Sequence, residues 1–553
     1  MRRPAIVFVA APLAAVLAQP AAPPTTILFK EVAGEAGLVF VHENSPTPRK
    51  HLIETVPGGV AVFDYDGDGR LDVFFTNGAA VPGLEKDAPR HHNRLFRNEG
   101  RLRFADVTEA SGLRGTGYSV AAAVGDYDND GDVDLFVGGV HRQFLYRNTG
   151  GRFEDVTAKA GVGSDQWVAG GGWLDYDNDG WLDLVAVNYT VWTPEFDRFC
   201  GDAARAIRVY CHPKWFPQIP VSLYRNRGDG SFEDASVRSG LARHKGRGMA
   251  VAFADYDRDG FLDVYVTHDK VPSALFRNRG HGTFEETGLT AGVALPEHGQ
   301  DISAMGADFR DYDNDGLPDI HVTALAGESF PLFRNLGRGL FQDVTQRARL
   351  APLVIARSGW GNGLFDFDND GWKDLFTANA HVNDQIERFE SNAYRLPNSV
   401  FRNAGDGTFT DASAESGLAA GPPRAHRGAA FGDLDRDGRL DVVVTSLQAP
   451  AELWWNQSAG GGHWLDVRLV GTKSNRDGIG TVVKITASGD PRWRQQWNHM
   501  TTAVGYASSS HTAVHFGTGT ATTLDVEIRW PSGIVQVLNG AKADQLLTVT
   551  ETR

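Results

Sequence analysis

The sequence predicts an all-β fold: a seven-bladed β-propeller followed by a small C-terminal β-sandwich. Three observations carry that expectation. A nine-residue acidic phrase, Asp-x-Asp-x-Asp-Gly-x-x-Asp, occurs seven times between apolar, strand-like flanks. A second phrase, ending in Asn, recurs between the acidic ones. The last stretch of about ninety residues carries neither and changes rhythm.

At the N-terminus, Arg2 and Arg3 precede an apolar run from Ala5 to Ala18, and small residues offer cleavage after Ala18 or Ala22. That pattern is a signal peptide over residues 1–18, or as far as 22. Pro12 breaks the run, which is too short to span a bilayer. Arg2-Arg3 alone does not make a twin-arginine signal, and no Cys stands near the cleavage region to carry a lipid. The chain is therefore expected to be exported, to an extracellular or periplasmic location, without a transmembrane anchor.

The propeller is expected over residues 27–456. Its acidic carboxylates are Asp64, Asp66, Asp68 and Asp72; Asp126, Asp128, Asp130 and Asp134; Asp175, Asp177, Asp179 and Asp183; Asp255, Asp257, Asp259 and Asp263; Asp311, Asp313, Asp315 and Asp319; Asp366, Asp368, Asp370 and Asp374; and Asp433, Asp435, Asp437 and Asp441. Four carboxylates within nine residues repel one another unless a hard cation sits among them. Calcium, which accepts six to eight oxygens in flexible geometry, suits such a loop. Position 7 is Arg70, Asp132, Trp181, Phe261, Leu317, Trp372 and Arg439. Side chains that different share a role only through the backbone carbonyl. Position 4 is Gly67, Asn129, Asn178, Arg258, Asn314, Asn369 and Arg436, mostly residues that tolerate a left-handed turn. EF-hands are excluded, because they need a Glu at position 12 and flanking helices. Here each loop joins two strands.

Between the loops runs the second phrase, as in Leu95-Phe96-Arg97-Asn98 followed by Phe104-Ala105-Asp106-Val107-Thr108. Each unit thus reads as four strands, and the units are spaced by 49 to 80 residues, as propeller blades are. Phe29-Lys30-Glu31-Val32 matches the closing half of a unit, whereas the last unit stops at Leu453-Trp454-Trp455-Asn456. The two fragments complete one blade and seal the ring.

Cys200 and Cys211 are the only cysteines and lie in one irregular segment. In an oxidising compartment they read as a disulfide, with a zinc site involving His212 as the weaker alternative. Arg227-Gly228-Asp229 coincides with the hairpin turn of its unit, so it reads as a turn and not as an adhesion signal.

The formal charge is −15, and the loops alone contribute 28 carboxylates. About seven calcium ions would bring the total near neutral. There is no basic surface for nucleic acid. Nucleophile elbow, zinc-protease, Walker and dinucleotide motifs are all missing.

Residues 457–462 read as a linker, and residues 463–553 as the sandwich. Strand-like runs fall at 464–470, 481–486, 513–516, 524–530, 534–538 and 546–549. With Gly471-Thr472-Lys473-Ser474-Asn475-Arg476-Asp477-Gly478-Ile479-Gly480 and Val526-Glu527-Ile528-Arg529-Trp530-Pro531-Ser532-Gly533, this tail resembles an ASPIC/UnbV domain. The acidic loops and Arg-Asn hairpins resemble FG-GAP/VCBS repeats, the kind that build the integrin α-subunit propeller. Together they resemble the cartilage-acidic-protein-like family across nearly the whole mature chain. That resemblance implies the propeller fold and carries the loop aspartates over as calcium ligands. It does not define an activity.

Since the loops share one face of the ring, the ends of the second strands share the other. Counting along the repeats places His51, Glu54, His141, His268, Asp269, Asn379 and His381 around a central mouth there. The expected function is binding or adhesion to an extracellular protein or glycan, with structural calcium. The alternatives are a metal-dependent enzyme with a second metal at that His-rich mouth, and a passive assembly scaffold.

Overall fold

The structure is a computed structural model and describes residues 26–460, 462–489 and 495–553. The signal-peptide reading lies outside the described residues.

Seven sheets follow one another along the chain, each built on four antiparallel strands, and the first carries two strands more. Their innermost strands are Val60–Phe63, Tyr118–Gly125, Val168–Leu174, Gly248–Ala254, Ala307–Arg310, Gly359–Phe365 and Ala425–Gly432. Each packs on the innermost strand of the next sheet, and the last packs on the first, so the sheets form a closed ring. The seventh sheet is completed by the N-terminal strand Phe29–Glu31, with Phe29 opposite Asn456 and Glu31 opposite Trp454. Beginning and end of the ring thus share a sheet, and no blade is left half built.

The local sequence explains the strands. In Arg94–Asn98 and Ser222–Asn226 the two middle residues and the terminal Asn are buried. Short apolar strands buried on both faces have no polar side to show, which is why their sequences do not alternate. Between the third sheet's strands Asp183–Asn188 and Ser222–Asn226 a long insertion carries a two-stranded ribbon, Gly201–Asp202 with Ile207–Arg208. Cys200 and Cys211 form a disulfide across it, which settles the zinc alternative against metal. Arg227-Gly228-Asp229 sits at the hairpin before Phe232–Asp234, with Asp229 accepting from the Ser231 amide.

The C-terminal residues form two facing sheets. One holds His463–Val470, Val514–Gly519 and Gln545–Thr550, and the other Val482–Ala487, Gln496–His499, Thr523–Arg529 and Val535–Lys542. Leu465, Val467, Val483, Ile485, Phe516, Val526 and Ile528 bury their side chains in one core that continues into the third and fourth sheets of the ring.

Two further short strands, Ala503–Val504 and Ser508–Ser510, leave this domain and run into the channel at the centre of the ring. Ser508–Ser510 pairs in parallel with the first sheet, Ala61 opposite Ser509 and Val62 opposite Ser510. The reason is the ring's own geometry. Innermost strands present unpaired amides to the channel, and each needs an acceptor. The insertion supplies them: Ala122 N donates to Ala507 O at 3.0 Å, Ala307 N to Gly505 O at 3.2 Å, Val124 N to Ser509 Oγ at 3.2 Å and Phe431 N to Ser510 Oγ at 2.9 Å. Close approach demands glycine on both sides. A Cβ on Gly428 would lie 2.5 Å from Ser508 Oγ and 2.3 Å from Gly58 O, and one on Gly505 would meet Asn362 backbone at 2.6 Å.

Candidate functional site: the aspartate loops and the channel they surround

Each acidic loop folds the same way. The residue at position 4 is left-handed in all seven, φ running from 54° at Asn178 to 71° at Gly67. The first Asp accepts the amide of the loop Gly, as Asp64 from Gly69 at 2.7 Å and Asp175 from Gly180 at 2.9 Å. The third Asp accepts the amide of position 7, as Asp68 from Arg70 at 2.8 Å and Asp315 from Leu317 at 2.9 Å.

The last Asp is a clasp. Both oxygens of Asp72 accept backbone amides, from Tyr65 at 3.1 Å and Asn98 at 2.7 Å, and the other six loops repeat the pair. Burial comes first in raising the Asp72 carboxyl to about 8, with Asp66 and Asp64 adding to it. Burial and the neighbouring aspartates likewise raise Asp175 to about 7 and Asp433 to about 8, where Asp466 contributes too. Such groups keep their charge only beside a compensating cation.

Two sets of residues hold the loops in place, and sequence reasoning did not assign either a role. The first is the arginine of the Arg-Asn phrase. Arg225 donates from Nε to Asp177 at 2.7 Å and from Nη2 to Asp179 at 2.8 Å. Arg334 joins Asp313 and Asp315, and Arg402 joins Asp368 and Asp370, in the same fork. Arg147 and Arg277 pair with the matching aspartates of their own loops. The guanidinium takes Oδ2 of the second and third Asp and turns Oδ1 of the second inward.

Oδ1 of Asp128, Asp177, Asp257 and Asp313 in these loops is buried and accepts no hydrogen bond. The same holds for Oδ1 of Asp64 in the first loop and of Asp435 in the seventh, where Arg70 and Arg439 pair with the third Asp instead. Ligand atoms of Asp64, Asp66 and Asp72, of Asp126, Asp128 and Asp134, of Asp175, Asp177 and Asp183, of Asp255, Asp257 and Asp259, and of Asp311, Asp313 and Asp315 all lie within 4.8 Å of one another in their groups. These clusters could hold metal ions.

The second set is the asparagine of the phrase. Its side-chain amide donates to its own loop and to the loop of the preceding sheet, as Asn226 to Leu182 O and to Tyr127 O, at 2.9 and 2.8 Å. A side chain at loop position 4 reaches the other way: Asn129, Asn178, Asn314 and Asn369 donate to the loop Gly of the next sheet, and Arg258 does the same. Gly67 cannot. Beside that gap the C-terminal domain docks, with Arg476 N donating to Asn129 Oδ1 and Asp126 N donating to Asp477 Oδ2, both at 2.8 Å. The domain therefore sits on the loop face. Between it and the loops of the third to fifth sheets lies a cleft of 430 Å³, with Trp497, Lys484 and Arg529 facing Asp255 and Arg258.

On the opposite face the sequence-derived residues make three sets of contacts. His51 and His141 both meet the Trp192 ring edge-on, at 5.3 and 6.0 Å, and His141 Nε2 contacts Trp192 O at 2.7 Å. Beside them Glu54 is buried and accepts from Thr47 Oγ1 at 2.7 Å and Tyr210 OH at 3.2 Å. His268 stacks on His244 at 5.6 Å with its Nδ1 at 2.8 Å from Pro272 O, and burial lowers it to about 4. Its neighbour Asp269 accepts from Tyr189 OH at 2.7 Å, and burial raises it to about 6. Asn379 donates to Thr377 O, Pro397 O and Ser399 Oγ, and His381 Nδ1 accepts the Asn383 amide. The centre is filled by Tyr506, whose hydroxyl donates to Val56 O at 2.6 Å and whose ring meets Trp360 at 5.0 Å.

The profile of the FG-GAP-like repeat matches residues 64–137, 126–186, 218–266, 311–377 and 366–444, together more than half of the chain. That of ASPIC and UnbV matches residues 471–553. The chain belongs to the FG-GAP-like repeat family. It is similar to Cartilage acidic protein 1 of Homo sapiens, at 25% identity over 332 residues, covering 59% of this chain and 47% of that one. The Mus musculus protein of the same name matches at 26% over 327 residues, with 57% and 46% covered. The chain thus spans about half the length of the curated relatives it matches. Among solved structures, an Agrocybe aegerita lectin specific for non-reducing terminal N-acetylglucosamine aligns at 18% identity and a TM-score of 0.36, covering 71% of this chain and 87% of that one. A likeness of that degree supports no functional inference.

Proposed function

We propose that this chain is an exported calcium-binding propeller. Its ions are structural, and its surface mediates binding or adhesion to an extracellular or periplasmic protein or glycan. The observation that supports calcium is the set of buried Oδ1 atoms without a hydrogen-bond partner, at Asp64, Asp128, Asp177, Asp257, Asp313 and Asp435. A buried carboxylate oxygen left without a donor costs about 1–3 kcal/mol or more, and a hard cation removes that cost. The first two aspartates of each loop would hold the ion with the last, as in Asp64, Asp66 and Asp72, or with the third, as in Asp255, Asp257 and Asp259, together with the carbonyl of position 7. When bound, calcium supplies charge neutralisation. The protein residues do the rest: in five loops the arginine fork aims the carboxylates, and in all seven the last Asp ties the loop to the strand that ends in Asn.

Export is supported by the Cys200–Cys211 disulfide, which suits an oxidising compartment. Among the described residues no helix is long and apolar enough to cross a membrane. The name of the vertebrate relatives agrees with an extracellular setting.

The test is retention of glycans and matrix proteins by the immobilised mature protein, with calcium and with excess chelator. Retention that chelation abolishes is expected. A surface that retains nothing in calcium would defeat the binding reading in favour of a passive scaffold.

A further inference from the structure

The disulfide-closed insertion of the third sheet has no part in the calcium account. It stands on the face away from the aspartate loops, where the Tyr210 hydroxyl donates to Glu54 and Phe196 packs on Phe216 with ring centres 4.5 Å apart. The Cys200–Cys211 bond and the ribbon of Gly201–Asp202 with Ile207–Arg208 brace it from within. Two of its rings are nevertheless left outside: Phe199 is 46% exposed and Trp215 44%. They line one hollow together, and exposed apolar groups gathered in one place mark a binding surface where single scattered ones do not.

The charges around those rings are one-sided. The hollow measures 340 Å³, Arg198, His212 and Lys214 line it beside the two rings, and no carboxylate of the described residues does. The acids of the insertion are engaged elsewhere: Asp197 pairs with Arg208 at 2.5 Å, Asp202 with Arg205 at 3.7 Å, and Glu195 bonds to Thr193. Arg198 and Lys214 have no ion-pair or side-chain hydrogen-bond partner among the described residues. Both lie against Trp215 instead, the guanidinium 3.5 Å and the ammonium 5.3 Å from its ring centre. A guanidinium stacked that closely keeps its N–H groups in its own plane, directed past the rim of the indole. The turn that carries Lys214 and Trp215 is fixed, since His212 Nδ1 accepts the Lys214 amide at 3.1 Å. In a chain of formal charge −15, this spot is cationic and aromatic.

We propose that this hollow binds an acidic oligosaccharide, with its carboxylate or sulfate groups on Arg198 and Lys214 and a sugar ring against Phe199 or Trp215. Charge complementarity selects the anion, since two exposed cations stand there without a counter-ion. The rings sit in a concave surface and not at a projecting tip, which favours a sugar chain over a bilayer. The volume falls within the roughly 300–1,000 Å³ usual for small-ligand sites. Bracing by the disulfide and ribbon means that little order has to be gained on binding. This deepens the glycan-binding reading and rests on it, but not on the calcium assignment.

The test is titration calorimetry on the full mature protein in calcium with hexasaccharides of heparin type, of hyaluronan and of chitin. The first carries sulfates and carboxylates, the second carboxylates alone, the third neither. The heparin-type chain is expected to bind, and to bind more weakly as salt is raised. The chitin chain should be weaker by about 10- to 100-fold, the worth of a charge-assisted hydrogen bond. Hyaluronan binding equally would assign the contact to carboxylates, and hyaluronan failing beside a bound heparin-type chain would assign it to sulfates. Arg198→Gln together with Lys214→Gln changes two exposed side chains and should weaken the acidic chain by a similar factor. Unchanged affinity in that variant would place the binding elsewhere and overturn the proposal. Equal binding of the chitin chain would overturn the anion. Capture of anionic lipid vesicles or polyglutamate, with neither acidic hexasaccharide bound, would overturn the sugar. No binding at about 1 mM, in protein that still retains other glycans or matrix proteins, would overturn the hollow alone. Protein that retains nothing at all would overturn the binding reading with it.

Discussion

The side-chain amide of Asn98 donates to the carbonyl of Leu434 at 2.8 Å, across 336 residues of chain. It belongs to a cycle: Asn148 reaches Tyr65, Asn226 Tyr127, Asn278 Tyr176, Asn335 Tyr256, Asn403 Tyr312 and Asn456 Phe367. Every link joins one repeat to the repeat before it. The Asn98 link alone joins the first repeat to the last.

Replacing Asn98 by Ala removes two buried donor bonds, to Leu434 and to Leu71, and leaves their carbonyls without that partner. A loss of about 2–4 kcal/mol is expected in denaturant unfolding. Asn226→Ala should cost a similar amount. An Asn98 variant as stable as the parent would show that the cycle does not hold the ring.

The hairpin in the channel gives a second expectation. Tyr506 is fully buried, bonded to Val56 O and packed on Trp360. Tyr506→Phe should lower stability by about 1 kcal/mol through the lost hydrogen bond. Tyr506→Ala should lower it by about 3–5 kcal/mol through the cavity left in the channel. Two variants of equal stability to the parent would mean that the hairpin is not part of the folded core in solution.

His42 is buried with neither ring nitrogen bonded, and its ring meets Phe40 edge-on at 5.9 Å. Burial first, then Lys86 and Arg427, lower its pKa to about 3. The unfolded chain takes up a proton near the ordinary value of 6.5 and the folded chain does not. Stability from this group is therefore complete above pH 6.5 and falls as pH drops toward 3, by about 1.4 kcal/mol per pH unit. His42→Phe keeps the ring and removes the titration. Its stability relative to the parent should rise steadily as pH is lowered from 6.5 to 4.5, read by unfolding curves at each pH. A constant offset between the two proteins would contradict the assignment.

The repeats were legible because each loop must solve the same local problem. Four carboxylates and a left-handed position 4 follow from nine residues, and the chain spells them seven times. The completion of the seventh sheet by Phe29–Glu31 was legible for a related reason, since half a repeat stands at each end. What the repeats do not encode was harder to read. Ser508–Ser510 is a polar run that becomes buried only because the ring leaves amides facing its channel, and no local pattern marks that. The residues of the opposite face show the same limit. The side chains of Asn379 and His381 are taken up by Ser399 Oγ and the Asn383 amide, which counting along repeats does not reveal.

The most direct test of the loops is elemental analysis of the purified mature protein, beside Asp177→Ala. Asp177 offers one of the buried oxygens and takes the Arg225 fork. About seven calcium per parent chain are expected, one for each loop and its aspartate cluster, with one fewer in the variant. Far fewer calcium in a parent protein that is still folded, or an unchanged count in Asp177→Ala, would contradict the reading of these loops as calcium sites.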